Sequence, residues 1–158
     1  MKFLVSKDIH SNRNFVLLLG FYSFMLSLYF IGDIFYLAHF FGLNPEAVLI
    51  TLKGNEEEFI EPLPLLSMLE HIHISLFLNI LALFTSMAIV LRLSISDKHK
   101  GVLILFTMAS LLFASLSFFA TYFLNNNFVY FFYTSTLLWH GLGIYASILV
   151  IIELWFKK

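Results

Sequence analysis

Four apolar runs dominate the chain: residues 15–41, 65–91, 102–124 and 128–155. Each is longer than the ~20 residues that a helix needs to cross the hydrocarbon core of a bilayer. In lipid such a run has to bond its own backbone groups, which a helix does within the segment. The sequence therefore predicts an all-α fold: a transmembrane up-down four-helix bundle forming a single integral membrane domain over 1–158. Composition agrees, because 60% of the 158 residues are hydrophobic and 12% are charged, more apolar surface than a soluble domain of this size can bury. The formal net charge of −1, with no basic block, leaves no electrostatic footprint for nucleic acid. With no cysteine there are no disulfides, thiolate metal sites, iron–sulfur clusters or covalently attached c-type haem.

The loops set an orientation. Lys2, Lys7 and Arg13 precede the first run, Arg92, Lys98 and Lys100 separate the second from the third, and Lys157 and Lys158 follow the fourth. The segment 42–64 holds Glu46, Glu56, Glu57, Glu58 and Glu61 against Lys53, and the third and fourth runs are joined by the uncharged Asn125, Asn126 and Asn127. Both termini are thus expected in the cytoplasm and the acidic 42–64 loop outside. The first run is too long for a signal-peptide core, and YLAHFFG offers no small-residue cleavage pattern, so it reads as an uncleaved helix. Within the outer loop, Asn44-Pro45-Glu46 combines a capping side chain, a proline at the first helical position and an acid near the positive helix end. It predicts a short interfacial helix that Gly54 ends, lying on the membrane surface or over the bundle mouth. Asn55, ahead of three glutamates, reads as a second cap, and Pro62 and Pro64 lead into the second span.

Each span carries small or polar residues at helical spacing: Tyr22, Tyr29, Asp33 and Tyr36; Ser67, His71, Ser75 and Asn79; Thr107, Ser110, Ala114, Ser117 and Thr121; Thr136, His140, Gly143 and Ser147. Small and hydrogen-bonding residues mark packed faces in lipid, so these stripes are expected to turn inward. Asp33, His71, His73 and His140 stand apart, because ionisable groups inside a membrane are costly and generally paired. His39 lies one turn from Tyr36, and His10 and His99 read as solvated residues. In EHIH, histidines two apart on a helix point ~200° apart, so His71 and His73 cannot clasp one ion together, whereas Glu70 and His73 share a face.

Three functions use such residues. The leading one is b-type haem between facing helices, with His71 or His73 opposite His140, His39 as an alternative ligand, and Tyr29, Tyr36, Ser75, Asn79 and Gly143 supplying hydrogen bonds and room. This would make the protein an electron-transfer component with a quinone or another electron carrier as partner. The second is copper, zinc or nickel held by His73, His140, Glu70 and Asp33, with His39 nearby, beneath a cation-attracting acidic loop. The third is an accessory or assembly subunit of a larger membrane complex, its uncharged third span docking on a neighbour. No nucleophile–base spacing, phosphate loop or zinc-protease motif marks an enzyme.

The segment GLNPEAVLITLKGNEEEFIEPLPLLSMLEHIHISLF resembles small bacterial four-span membrane proteins. In these a G-x-x-P-x-x-V segment leads to an acidic G-x-E-E-E, then prolines, then L-L-E-x-x-H-x-H-x-F at the second span. Gly42, Pro45, Val48, Gly54, Glu56 to Glu58, Glu70, His71 and His73 stand at corresponding places, although here no two-residue gap separates Glu70 from His71. The resemblance covers about a quarter of the chain. It implies the same topology and a bacterial inner-membrane setting, and no activity.

Overall fold

A computed structural model describes residues 12–156. It contains α1 (Arg13–Phe41), α2 (Pro45–Lys53), α3 (Leu65–Val90), α4 (Asp97–Phe123) and α5 (Phe128–Phe156). The protein is an all-α bundle in which α1, α3, α4 and α5 are long and apolar enough to cross a membrane. Lys2, Lys7, His10, Lys157 and Lys158 lie outside the described residues. The largest boundary difference is at α4, which starts at Asp97, ahead of the apolar run. Ser96 is its cap, accepting from the His99 N–H at 3.4 Å, and Asp97 faces the positive helix end. A polar first turn is invisible to a search for apolar residues.

Local chemistry sets the other starts. Asn12 accepts from the backbone of Asn14 and Phe15 at the head of α1, and Asn44 accepts from Ala47 N at 2.8 Å ahead of Pro45 in α2. Asn55 does not start a helix. Its side chain accepts from Glu57 N, and its backbone pairs with Ile60 to close a tight turn through Phe59, whose φ is 55°.

Helix α5 is the hub, packing most extensively against α4 and α1, while α3 closes the bundle against both α4 and α5. Contacts at the two ends fix the up-down arrangement. At one end Tyr133 donates to the Leu43 carbonyl, Tyr122 to the Leu63 carbonyl, and the Lys53 ammonium to the Tyr122 carbonyl. At the other, Glu153 of α5 accepts from Ser94 N in the α3–α4 loop. Helix α2 lies over the bundle mouth: Val48 and Leu52 are buried with Phe41, Met68, Phe118 and Val129. The outer faces of the long helices carry Phe35, Leu105 and Leu116 among many exposed apolar residues, a surface suited to acyl chains and far larger than the apolar patches that soluble monomers expose.

The stripe of α4 is buried along its whole length, from Thr107 to Thr121. That of α1 is rotated from the expected one. Gly20, Ser23, Ser27 and Phe30 face inward, while Tyr22 and Tyr36 lie exposed. A tyrosine stripe and a small-residue stripe overlap on α1, and the glycine–serine one allows the closer approach of α5: a Cβ on Gly20 would stand 2.5 Å from the Trp155 indole.

Gly54 closes α2 with φ +77°, and a Cβ there would meet the Ile60 carbonyl at 2.6 Å and the Pro62 nitrogen at 2.9 Å. Gly54→Ala is expected to cost about 2 kcal/mol, from the left-handed backbone and the backbone clash together. Gly101 has nothing within 4 Å of its would-be Cβ, so Gly101→Ala is expected to gain about 0.5 kcal/mol from helix propensity. Reversible unfolding in mixed micelles reads both.

Candidate functional site at the α1–α5 seam

The two ionisable groups deepest in their spans meet. Nε2 of His140 on α5 lies 2.9 Å from Oδ2 of Asp33 on α1, with the histidine side chain 0% and the carboxylate 12% exposed. The other ring nitrogen, Nδ1, lies 2.7 Å from the Thr136 carbonyl one turn back. A carbonyl only accepts, so Nδ1 carries the hydrogen of that bond. The Nε2–Oδ2 contact needs a second hydrogen, which sits either on the ring or on the carboxyl group. In both arrangements the pair is neutral overall and holds one proton between its two members. Neutrality is what makes a buried acid and base tolerable in lipid.

The surroundings hold the ring in place. The indole of Trp139 lies 3.6 Å from it, centroid to centroid, and Phe30 meets Trp139 edge-on at 6.0 Å. Phe30 fits because residue 143 is glycine: a Cβ there would be 2.9 Å from the Phe30 ring carbons. One turn from Asp33, Tyr29 donates to the Asn79 side-chain oxygen and ties α1 to α3. His71 stacks on Phe40 and Tyr36 and meets Phe41 edge-on. Its ring nitrogens lie 3.3 Å from the Tyr36 hydroxyl and 3.4 Å from Ser75 Oγ.

Between these groups runs a cleft of about 60 Å³, lined among others by His71, Ser75, Asn79, Thr136 and Trp139. This is room for one or a few waters and far below the ~300–1,000 Å³ of small-molecule sites. A second cleft of about 70 Å³, beneath Gly42 and Leu43, also reaches Thr136. Thr51, Thr85, Thr107, Thr121 and Thr134 each return their hydroxyl to the carbonyl four residues back. The buried Thr136 hydroxyl makes no hydrogen bond, and it stands where both clefts meet the residue whose carbonyl orients His140.

Of the residues singled out in the sequence, Asp33 and His140 are brought together, with His71, Tyr29, Tyr36, Ser75, Asn79 and Gly143 around them. His73, Glu70 and His39 lie on the exposed surface. The His73–His140 pair is therefore not formed. Only one of two histidines two apart can face inward, and the Ser67–His71–Ser75–Asn79 face is the one that α3 turns toward its neighbours. Of the four residues expected to share a metal, Asp33 and His140 meet while His73 and Glu70 stay on the exposed surface, and among the described residues no three His, Cys, Asp or Glu side chains gather.

Two further sites are absent from the sequence reading. Glu153 is 3% exposed and pins the α3–α4 loop through Ser94; its signal was a lone acid in the last turns of an apolar span. His99 is exposed, as its sequence reading expects, and its Nε2 lies 3.1 Å from the Tyr145 hydroxyl, a contact that reading did not include.

No curated protein and no solved structure matches the chain. A family model described as a transmembrane helical domain matches residues 42–158, which include α2 to α5, His140, His71 and the whole of both clefts' α3–α5 walls. The chain thus belongs to the Aq_1264_TM family of transmembrane helical domains.

Proposed function

We propose that this integral membrane bundle handles protons. Asp33 and His140 hold one proton between α1 and α5, and the two clefts that meet at Thr136 let it exchange with the loop end of the bundle. The observation that carries the reading is the fully buried His140 ring, held between the Thr136 carbonyl and the Asp33 carboxyl group. When the pair releases its shared proton toward the far end of the bundle, protonated water in the cleft beside Thr136 and Asn79 replaces it, and the pair returns to its neutral one-proton state. Trp139 and Phe30 pack around the ring and keep bulk water away from the pair. Such a module suits an accessory subunit that couples protons to a larger membrane complex, with the acidic loop placed to gather cations at its mouth.

The haem reading makes different demands. His140 and His71, the inward histidine of α3, would be the residues to hold the haem iron, and His140 would have to release either Asp33 or the Thr136 carbonyl.

The test is proton flux into vesicles loaded with a pH-sensitive dye under a potassium diffusion potential. Vesicles with the protein are expected to acidify faster than protein-free ones. Asp33→Asn keeps a polar group at the seam and is expected to return the rate to the lipid background, with Thr136→Val lowering it in part. Equal rates in Asp33→Asn and the unaltered protein would overturn the proposal. A reducible Soret band in the purified protein would replace it with electron transfer.

A further inference from the structure

A third cavity lies at the opposite end of the bundle from α2, between the first turns of α4 and the last turns of α5. It measures about 440 Å³, within the usual ~300–1,000 Å³ of small-molecule sites. Its walls include Ile95, His99, Tyr145, Ile148, Ile152 and Glu153. Tyr145, Ile148 and Ile152 share one exposed face of α5, so the cavity opens sideways onto the surface that meets lipid. Its polar equipment is the pair formed by the Tyr145 hydroxyl and His99 Nε2, 3.1 Å apart. One hydrogen fills that contact. If the phenol donates, the ring keeps its Nδ1–H; if the ring donates, the phenol keeps its O–H. Either tautomer leaves one neutral donor on the pair for a ligand acceptor.

We propose that this cleft binds the head ring of a lipid-soluble quinone. The ring lies against Ile148 and Ile152, a carbonyl oxygen accepts from the His99–Tyr145 pair, and the isoprenoid tail leaves along the exposed face of α5 into the bilayer. An anionic lipid headgroup fits less well, since the described lining is largely aliphatic and holds neither lysine nor arginine. The inference stands apart from the Asp33–His140 reading, which concerns the other half of the bundle.

The experiment uses the full chain in lipid nanodiscs with an azido-ubiquinone photoprobe, the labelled peptides being located by mass spectrometry. Labelling is expected to saturate, to fall on peptides spanning 95–99 and 145–153, and to be competed by decyl-ubiquinone. Loss of one hydrogen-bonding pair corresponds to about a tenfold loss of affinity, so the His99→Ala/Tyr145→Phe double variant is expected to need about ten times more probe. Both residues are exposed, and an unchanged melting profile confirms that the double variant folds. Ile148→Trp, which fills the cleft from an exposed position, is expected to abolish the labelling. Label spread evenly over the lipid-facing helices, competition by phosphatidylglycerol in place of the quinone, or equal labelling in the double variant would each overturn the proposal.

Discussion

Asp33→Ala is expected to lower the unfolding free energy of the bundle by about 3 kcal/mol, at the low end of what removing one member of a buried pair costs. The loss has two parts. Nε2 of His140 is left at the α1–α5 seam with no acceptor, on a side chain with no exposure, and α1 loses a bond to the hub helix. The low end applies because polar groups on unfolded helices in a bilayer also find partners. Asp33→Asn retains an acceptor for the ring and is expected to cost about 1 kcal/mol, the scale of one net hydrogen bond. Replacing both members, as Asp33→Leu with His140→Phe, is expected to recover much of the stability lost in Asp33→Ala, since apolar replacements of a buried pair are often neutral. Unfolding in mixed micelles orders the three variants. A double variant as unstable as Asp33→Ala would mean that the pair is not a coupled unit.

The second large effect is steric. Gly143→Leu is expected to cost about 3 kcal/mol, the upper range for overpacking, because its first added carbon already stands 2.9 Å from the Phe30 ring. Phe30 has no exposure and cannot swing aside without displacing Trp139, against which it packs edge-on. Trp139 in turn lies on the His140 ring. The substitution therefore separates α1 from α5 at the level of the Asp33–His140 contact, and proton flux falls along with stability. Gly141→Ala, two residues away with nothing within 4 Å of the added Cβ, is expected to be neutral or mildly stabilising. Comparable losses at 141 and 143 would contradict the packing described for the seam.

The spans were readable because bilayer thickness imposes a length that apolar runs report directly. So was α2, whose capping asparagine, proline and terminal glycine act through local backbone chemistry. The meeting of Asp33 with His140 was not readable, although both residues stood out. Asp33 is ~12 Å along α1 from Phe41, and His140 ~18 Å along α5 from Phe128, at 1.5 Å per residue. Matching them requires knowing how far the start of α5 rises beside α2, which is set by packing of Phe41, Val48 and Val129. The inward face of α1 was misjudged because tyrosines and small residues both repeat at helical spacing, and only the close approach of Trp155 to Gly20 selects the small ones. The His99–Tyr145 contact joins α4 to α5 across 46 residues, a distance over which periodicity carries no information.

The central claim is that one proton is shared between Asp33 and a His140 ring already bonded to the Thr136 carbonyl. Nitrogen-15 NMR of histidine-labelled protein in lipid nanodiscs tests it most directly. Nδ1 of His140 is expected to carry a directly bonded hydrogen, and the Nε2 signal to move in Asp33→Asn while that of the exposed His73 stays in place. A bare Nδ1, or an Nε2 signal indifferent to residue 33, would contradict the account.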